Sequence, residues 1–301
     1  MEYTLGIVGF GEVGGIFGRN LRGQAGIKGV YAWDVKFADP AAGEESRKGA
    51  EEAGIRACAS MQELCGQADL LISAVTASRT LDVAEEAARH IRKGAQFLDL
   101  NSASPGTKQR AAAAIDGAGG QYVEAGVMTS VPPYGIRVPM LLGGSQAAGL
   151  AQTLTGWGMD AKAVSDKLGI ASAIKMSRST MIKGLEALVV EAYTNARAYG
   201  VEEHVLPTLQ ETFPQINWSQ QGDYFFSRVV LHGKRRAEEM RESANTVKET
   251  GIEPLMASAI AEKQDWMAAL AREEKLFEGL TGKSPWQDYA DRLIAHAHRK
   301  A

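Results

Sequence analysis

Apolar and polar positions change their period partway along the chain. Up to about residue 165, short apolar runs alternate with alanine-rich stretches of helical spacing. Residues 3–9, 29–33, 69–75, 96–100, 121–125 and 139–143 read as strands, and 15–21, 80–91 and 108–115 as helices. The run Asp69-Leu70-Leu71-Ile72-Ser73-Ala74-Val75 is almost continuously apolar, as in a parallel sheet covered on both faces. This alternation predicts a doubly wound α/β sheet with ligands at the carboxyl ends of its strands. After about Ala163 the strand signal stops, and 170–199, 224–243, 254–270 and 286–298 read as helices punctuated by Pro207, Pro214, Pro254 and Pro285. Ile170, Ile174, Met181, Leu185, Leu188, Ala192 and Ala196 mark one stripe of the long helix.

The first strand runs straight into Gly9-Phe10-Gly11-Glu12-Val13-Gly14, then a helix, a second strand and Asp34. Gly9 permits a sharp turn, Gly11 lets backbone approach a pyrophosphate, and Gly14 lets helix and strand pack closely. The helix start offers N–H groups and a positive dipole end to phosphates. Asp34 can accept from the adenosine ribose hydroxyls and would repel a 2′-phosphate, which favours NAD. Lys36, two residues on, keeps NADP open. The candidate cofactor residues are therefore Gly9 to Gly14, Asp34 and Lys36, with Val75, Thr76 and Asn101 where later strands end. The reading divides the chain into a dinucleotide-binding Rossmann domain (1–164) and an all-helical substrate and dimerisation domain (165–301).

Composition narrows the class further. The chain has 301 residues, is 45% hydrophobic and 23% charged, and carries a net charge of −3. No long charged block argues for nucleic acid or a membrane surface, and no apolar run reaches the ~18 residues of a spanning helix. Its two cysteines, Cys58 and Cys65, do not make a disulfide framework, so a cytoplasmic setting is the default. The five histidines are scattered, two of them at a C-terminus expected to fray, and no metal set emerges.

Chemistry concentrates at the start of the long helix. Ser165 or Asp166 is placed to cap it. Lys175 lies early in the helix, with Arg178 and Ser179 on its face. The helix dipole and the neighbouring guanidinium both disfavour a charged ammonium there, the direction a general base needs. Taken alone, Lys175 reads rather as one of many solvated helix lysines. His232, followed by Lys234, Arg235 and Arg236, reads as an anion pocket or as a solvated face paired with Glu238, Glu239 and Glu242.

These segments together resemble the β-hydroxyacid dehydrogenase superfamily, which includes 3-hydroxyisobutyrate, tartronate semialdehyde and 6-phosphogluconate dehydrogenases. The resemblance spans nearly the whole chain. Asp99-Leu100-Asn101-Ser102-Ala103-Ser104-Pro105 looks like the segment in which a polar residue lies near the nicotinamide. Glu124-Ala125-Gly126-Val127-Met128-Thr129-Ser130 stands in place of the substrate segment D-A-P-V-S-G-G. Gly169-Ile170-Ala171 followed by Lys175 resembles the G-x-G-x-x-x-K catalytic helix, which implies that Lys175 is catalytic. Departures accompany these matches. Met128 replaces a serine, Gly126 a proline, Ala171 a glycine, and Arg178 and Ser179 a pair of asparagines. The family's later lysine-aspartate motif is not visible in this chain. The pattern resembles a less characterised branch with a phosphogluconate-dehydrogenase-like C-terminal domain.

The resemblance implies an NAD(P)-dependent oxidoreductase moving hydride between nicotinamide and a small β-hydroxy acid or matching aldehyde. Lys175 is then general acid/base, and a homodimer shares the helical domain. Candidate substrate residues are Ser102, Val127, Met128, Thr129, Ser130, Arg178, Ser179 and His232, with the carboxylate falling to Arg178 because a guanidinium binds it in bidentate fashion. Two alternatives share the motifs: an oxidative decarboxylase of a hydroxy acid, and a non-catalytic NAD-sensing protein. An imine-reducing relative is disfavoured by the lysine.

Overall fold

The computed structural model describes residues 2–41 and 43–300. The chain forms two compact units, Met1–Met176 and Ser177–Ala301. Among the described residues of the first unit, one eight-stranded sheet has the order β3-β2-β1-β4-β5-β6-β7-β8. Its strands are β1 (Tyr3–Val8), β2 (Ile27–Trp33), β3 (Arg56–Ala57), β4 (Leu70–Ser73), β5 (Gln96–Asp99), β6 (Gln121–Val127), β7 (Met140–Gly143) and β8 (Ala161–Ser165). The intervening helices are α1 (Glu12–Leu21), α2 (Gly43–Glu52), α3 (Met61–Gln67), α4 (Thr80–Ala88), α5 (Pro105–Gly117) and α6 (Ala147–Gly156).

Strand pairing is parallel except for β7, which runs antiparallel to β6 through Gly126↔Leu141 and then parallel to β8. The expected α/β doubly wound class is what the sheet shows, with two additions. β3 is only two residues long, too short to signal itself, and β8 is half-buried along its length where periodicity ends. Two apolar cores cover the faces of the sheet. One includes Leu5, Ile7, Phe17, Val30, Ile72, Leu98 and Val123, the other Leu64, Leu71, Phe97, Ile115 and Tyr122. Cys58 and Cys65 are buried in the second core, and burial pushes both thiols up to about 12, so they pack rather than react.

The long helix α7 (Ile170–Tyr199) begins in the first unit and carries on into the second. It is followed by α8 (Glu202–Thr212), α9 (Trp218–Glu249), α10 (Leu255–Arg272) and α11 (Trp286–Lys300). The expected 224–243 helix is longer at both ends, and at its start Asn217 caps it by accepting from Gln220 N at 3.1 Å. α8 was not expected, since Pro207 sits inside it and removes one helical N–H. None of its residues is buried. Among the described residues α11 runs to Lys300, and His296 Nδ1 lies 3.4 Å from Glu274.

The aromatic core of the helical unit gathers Tyr193, Trp218, Phe225, Phe226, Phe277, Trp286 and Tyr289. Gly222 is required there, because a Cβ would stand 2.8 Å from the Trp286 and Tyr193 rings. Phe225 and Phe226 are core, while Tyr224 is exposed. Two buried ion pairs join α7 to α9. Arg236 meets Glu186 in a two-pronged contact, its Nε 2.9 Å from Oε2, and Lys183 lies 2.9 Å from Glu239. Removing one member of a buried pair strands the other, at about 3–5 kcal/mol. Arg236→Met should therefore lower the thermal midpoint sharply, while Arg236→Met with Glu186→Leu should recover most of the loss. Equal midpoints for the single and double variants would show that the pair is not what holds these helices.

Candidate active site

The site is built on the carboxyl ends of β1, β4, β5 and β6 and on the first turns of α7, all within the first unit. Its cofactor side starts at Gly9, whose φ of +87° suits glycine. A Cβ at Gly9 would meet the Ala74 carbonyl oxygen at 2.6 Å, and one at Gly14 would meet the Gly9 carbonyl oxygen at 1.9 Å. Both glycines are thus demanded by close backbone approach. Gly11 differs: a Cβ there would meet nothing within 4 Å, so its bare face opens onto free space. α1 begins directly after Gly11 with no side-chain cap. An uncapped helix start facing an open glycine is the cradle a dinucleotide pyrophosphate requires. Glu12 and Val13 fall in that first turn, Glu12 exposed and Val13 half-buried.

Asp34 directly follows β2 and lies half-buried beside this turn. Its Oδ2 accepts from Phe10 N at 2.7 Å and its Oδ1 from Lys36 N at 2.9 Å. These bonds pin the carboxylate across the glycine loop, and each oxygen keeps a lone pair for a ribose hydroxyl. Lys36 itself is exposed. The residues present therefore fit NAD.

At the ends of β4 and β5 a buried polar network takes over. Asn101 Oδ1 accepts from Val75 N at 2.7 Å, and its Nδ2 donates to Ser73 Oγ at 2.9 Å. Asn101 N donates to Asp99 Oδ1 at 2.9 Å. Asp99 is fully buried with Lys108, whose Nζ lies 2.9 Å from the same oxygen and 3.0 Å from the Asp99 carbonyl. Tyr122 donates its hydroxyl to Asp99 Oδ2 at 2.5 Å. Burial, reinforced by the charge of Asp99, holds the Tyr122 phenol well above its ordinary range, so it stays a donor. Asn101 was singled out from sequence, but Asp99, Lys108 and Tyr122 were not. The one available signal was a lysine and an acid embedded in otherwise apolar elements. Thr76 is exposed after β4, 3.3 Å from Ser78 by its hydroxyl, and Ser102 is half-buried beside Asn101.

The substrate segment leaves the sheet at the end of β6. Val127 and Met128 are half-buried, Met128 N donating to Pro139 O at 2.9 Å, and Thr129 and Ser130 are exposed in the loop that follows. Gly126 faces α7 so closely that a Cβ would stand 2.9 Å from the Ala171 carbonyl oxygen and 3.4 Å from Lys175 Cβ. This explains the glycine where the family has proline. Proline would also forfeit its N–H in the paired β6–β7 segment. Lys175 is half-buried at this contact.

The start of α7 corrects one expectation. Neither Ser165 nor Asp166 caps it: Ser165 ends β8, and its hydroxyl accepts from Lys167 N at 2.9 Å. The cap comes from β6. Glu124, with no exposed surface, accepts at Oε1 from Gly169 N (2.7 Å) and Ala171 N (3.1 Å), and at Oε2 from Ser172 Oγ (2.7 Å). Gly143 leaves the room, since a Cβ there would stand 2.5 Å from Glu124 Oε1. No local spacing could reveal a cap forty-five residues away in sequence. The positive helix end invoked for Lys175 is thus already met by a carboxylate.

The remaining candidates lie in the second unit. Arg178 is exposed and Ser179 buried. His232 on α9 is half-buried, and burial together with Arg228, Arg235 and Arg236 pushes it down to about 4. It is therefore neutral at neutral pH and offers hydrogen bonds rather than charge. Arg235 pairs with Glu239 at 2.8 Å and Arg236 with Glu186, so neither belongs to an open anion pocket. Arg228, not anticipated from sequence, stacks its guanidinium 5.9 Å from the Tyr224 ring centre, and burial lowers its pKa. Among the described residues no group of three or more His, Cys, Asp or Glu could hold a metal.

Residues 4–148 match the NAD binding domain of 6-phosphogluconate dehydrogenase, and residues 196–267 match a domain of unknown function (DUF1932). A conserved hypothetical protein from Sinorhizobium meliloti 1021 is 37% identical, covering 98% of this chain and 97% of its own, with a TM-score of 0.78. A conserved protein of unknown function, described as structurally similar to 3-hydroxyacid dehydrogenases, is 30% identical over 90% of this chain and 98% of its own, with a TM-score of 0.69. The fold is also that of Mycobacterium tuberculosis 3-hydroxyisobutyrate dehydrogenase solved with L-serine, at 17% identity, 99% and 100% coverage and a TM-score of 0.69. An open glycine cradle at an uncapped helix, an acid pinned beside it and these full-length matches make the chain an oxidoreductase with an NAD-binding domain, belonging to the β-hydroxyacid dehydrogenase superfamily.

Proposed function

We propose that the protein is an NAD-dependent dehydrogenase of a small β-hydroxy acid, or the reductase of the matching aldehyde or ketone, with Lys175 moving the proton. The observation that carries this reading is the seating of Lys175 against Gly126, at the end of β6 and in the same unit as the glycine cradle. Bound nicotinamide supplies the hydride chemistry, accepting hydride from the alcohol carbon or returning it to a carbonyl carbon.

The chain's own residues do the rest. Gly9 to Gly14 hold the pyrophosphate, with the Phe10 backbone tied to Asp34. Asp34 and Lys36 face the adenosine side, and Asp34 disfavours a 2′-phosphate. Val75, Thr76 and Asn101 border the nicotinamide side, where Asn101 fixes the Val75 backbone. Lys175 Nζ takes the substrate hydroxyl proton during oxidation and gives it back to the carbonyl oxygen during reduction. Ser102, the Val127 and Met128 backbone, Thr129 and Ser130 orient the acid, and Arg178 takes its carboxylate.

The uncovered apolar face of α7 supports a homodimer. Ile170, Ile174, Met181, Leu188 and Tyr199 expose 41, 40, 66, 62 and 78% of their surface. Such a row of large apolar side chains on one helix marks an interaction surface.

Three measurements test the reading. With a panel of 3-hydroxy acids and NAD, Lys175→Ala should lose at least about a hundredfold in kcat while its affinity for NAD stays within twofold. A parent protein that binds NAD yet turns over no hydroxy acid or matching carbonyl would make it an NAD sensor, and release of carbon dioxide would make it a decarboxylase. Asp34→Ala should weaken NAD roughly tenfold, the loss of about 1.4 kcal/mol of ribose hydrogen bonding, and bring NADP closer to it; an unchanged NAD-to-NADP ratio refutes the role of Asp34. In sedimentation, the parent should run as a dimer and Met181→Lys with Leu188→Lys as a monomer.

A further inference from the structure

The carboxylate of Glu124 lies where it can act on Lys175 as well as on the helix. It is completely buried, it binds the N–H groups of Gly169 and Ala171 and the hydroxyl of Ser172, and Lys175 follows Ala171 by one turn. A neutral hydroxyl or amide would suffice to cap a helix. A negative charge adds a field that a neutral cap would not, and inside the protein that field is screened less than in bulk water.

We propose that Glu124 is a positioning residue for Lys175, fixing the first turn of α7 and holding the lysine as its ammonium, so that the resting site is set to protonate a carbonyl oxygen. The functional half of this inference rests on the proton-transfer role proposed above. In the reducing direction the balance closes: the carbonyl carbon receives hydride from reduced nicotinamide, the carbonyl oxygen receives a proton from Lys175, and the neutral amine is recharged from water. The favoured substrate class is accordingly an aldehyde or ketone acid.

Glu124 is the buried charge on this turn, and the other charged groups named near it are exposed. Glu124 comes from β6, and its neighbour Gly126 brings no side chain toward Lys175. From α5, Pro105 and Gln109 approach Gly169 without charge. Asp166 and Lys167, exposed just before the helix, carry opposite charges, and Arg178, exposed one turn beyond Lys175, opposes Glu124 from solvent. Exposed charges are screened far more than the buried one.

The test needs no substrate. The pH dependence of Lys175 acetylation by acetic anhydride, read by peptide mass spectrometry on the apo full-length protein, reports how firmly its amine stays protonated. In the parent, the midpoint should lie in the ordinary lysine range, near about 10; a midpoint near 7 overturns the proposal even if no variant folds. Glu124→Gln keeps the shape and can still accept from both N–H groups. It should raise Lys175 acetylation at a fixed pH about sixfold, the effect of a charge roughly 8 Å away at an effective dielectric of about 40, with other lysines unchanged. Ser172→Ala, which removes one hydrogen bond and no charge, should leave Lys175 within twofold of the parent. A Glu124→Gln protein that melts lower but acetylates Lys175 at the parental rate would show a purely structural cap. Failure of the dehydrogenase reading would show separately, as no turnover by the parent.

Discussion

Glu124, in the middle of β6, accepts from three donors at the start of α7, and the geometry of the candidate site follows from that attachment. A helix start must satisfy its leading N–H groups somewhere. Here they are satisfied from the sheet, so α7 cannot shift without unbonding a buried carboxylate, and the position of Lys175 is set by the strand rather than by a flexible loop. Gly143 and Gly126 belong to the same constraint: one leaves space for the carboxylate, the other lets the helix backbone come against β6.

The cofactor half repeats this logic with different chemistry. Asp34 spans from β2 to the glycine turn, and Asn101 spans from β5 to β4. Each uses a side chain to hold the backbone of a neighbouring loop at the carboxyl end of the sheet, where ligands bind in such folds. Beneath Asn101, the fully buried Asp99–Lys108 pair with Tyr122 gives the loop a rigid floor. Every member of that network is bonded, the condition under which buried polar groups rigidify a site instead of weakening it.

The helical unit shows how a basic cluster can mislead. The Lys234-Arg235-Arg236 run is arithmetically an excess of positive charge. Arg236 is nevertheless consumed by Glu186, fifty residues earlier, and Arg235 by Glu239 on its own helix. His232, the neighbour with apparent chemistry, is kept uncharged by its burial first and by the arginines around it second. Charge on a helix face acquires meaning only with its cross-helix partners.

Local sequence determined a great deal. Strand periodicity, the glycine turn and the acid following β2 established the sheet, its cofactor class and the cradle, because each rests on backbone geometry that neighbouring residues dictate. The span of α7 was legible to the residue, since its 3.6-residue pattern is long and uninterrupted. Lys175 was found by resemblance, as a lone helix lysine has no signal of its own. Only the tertiary structure decided what surrounds it: the Glu124 cap, the Asp99–Lys108–Tyr122 network, the antiparallel β7 and the ion pairs of α9. Most of these join residues well separated in the chain, and a pairing made by folding leaves no period to read.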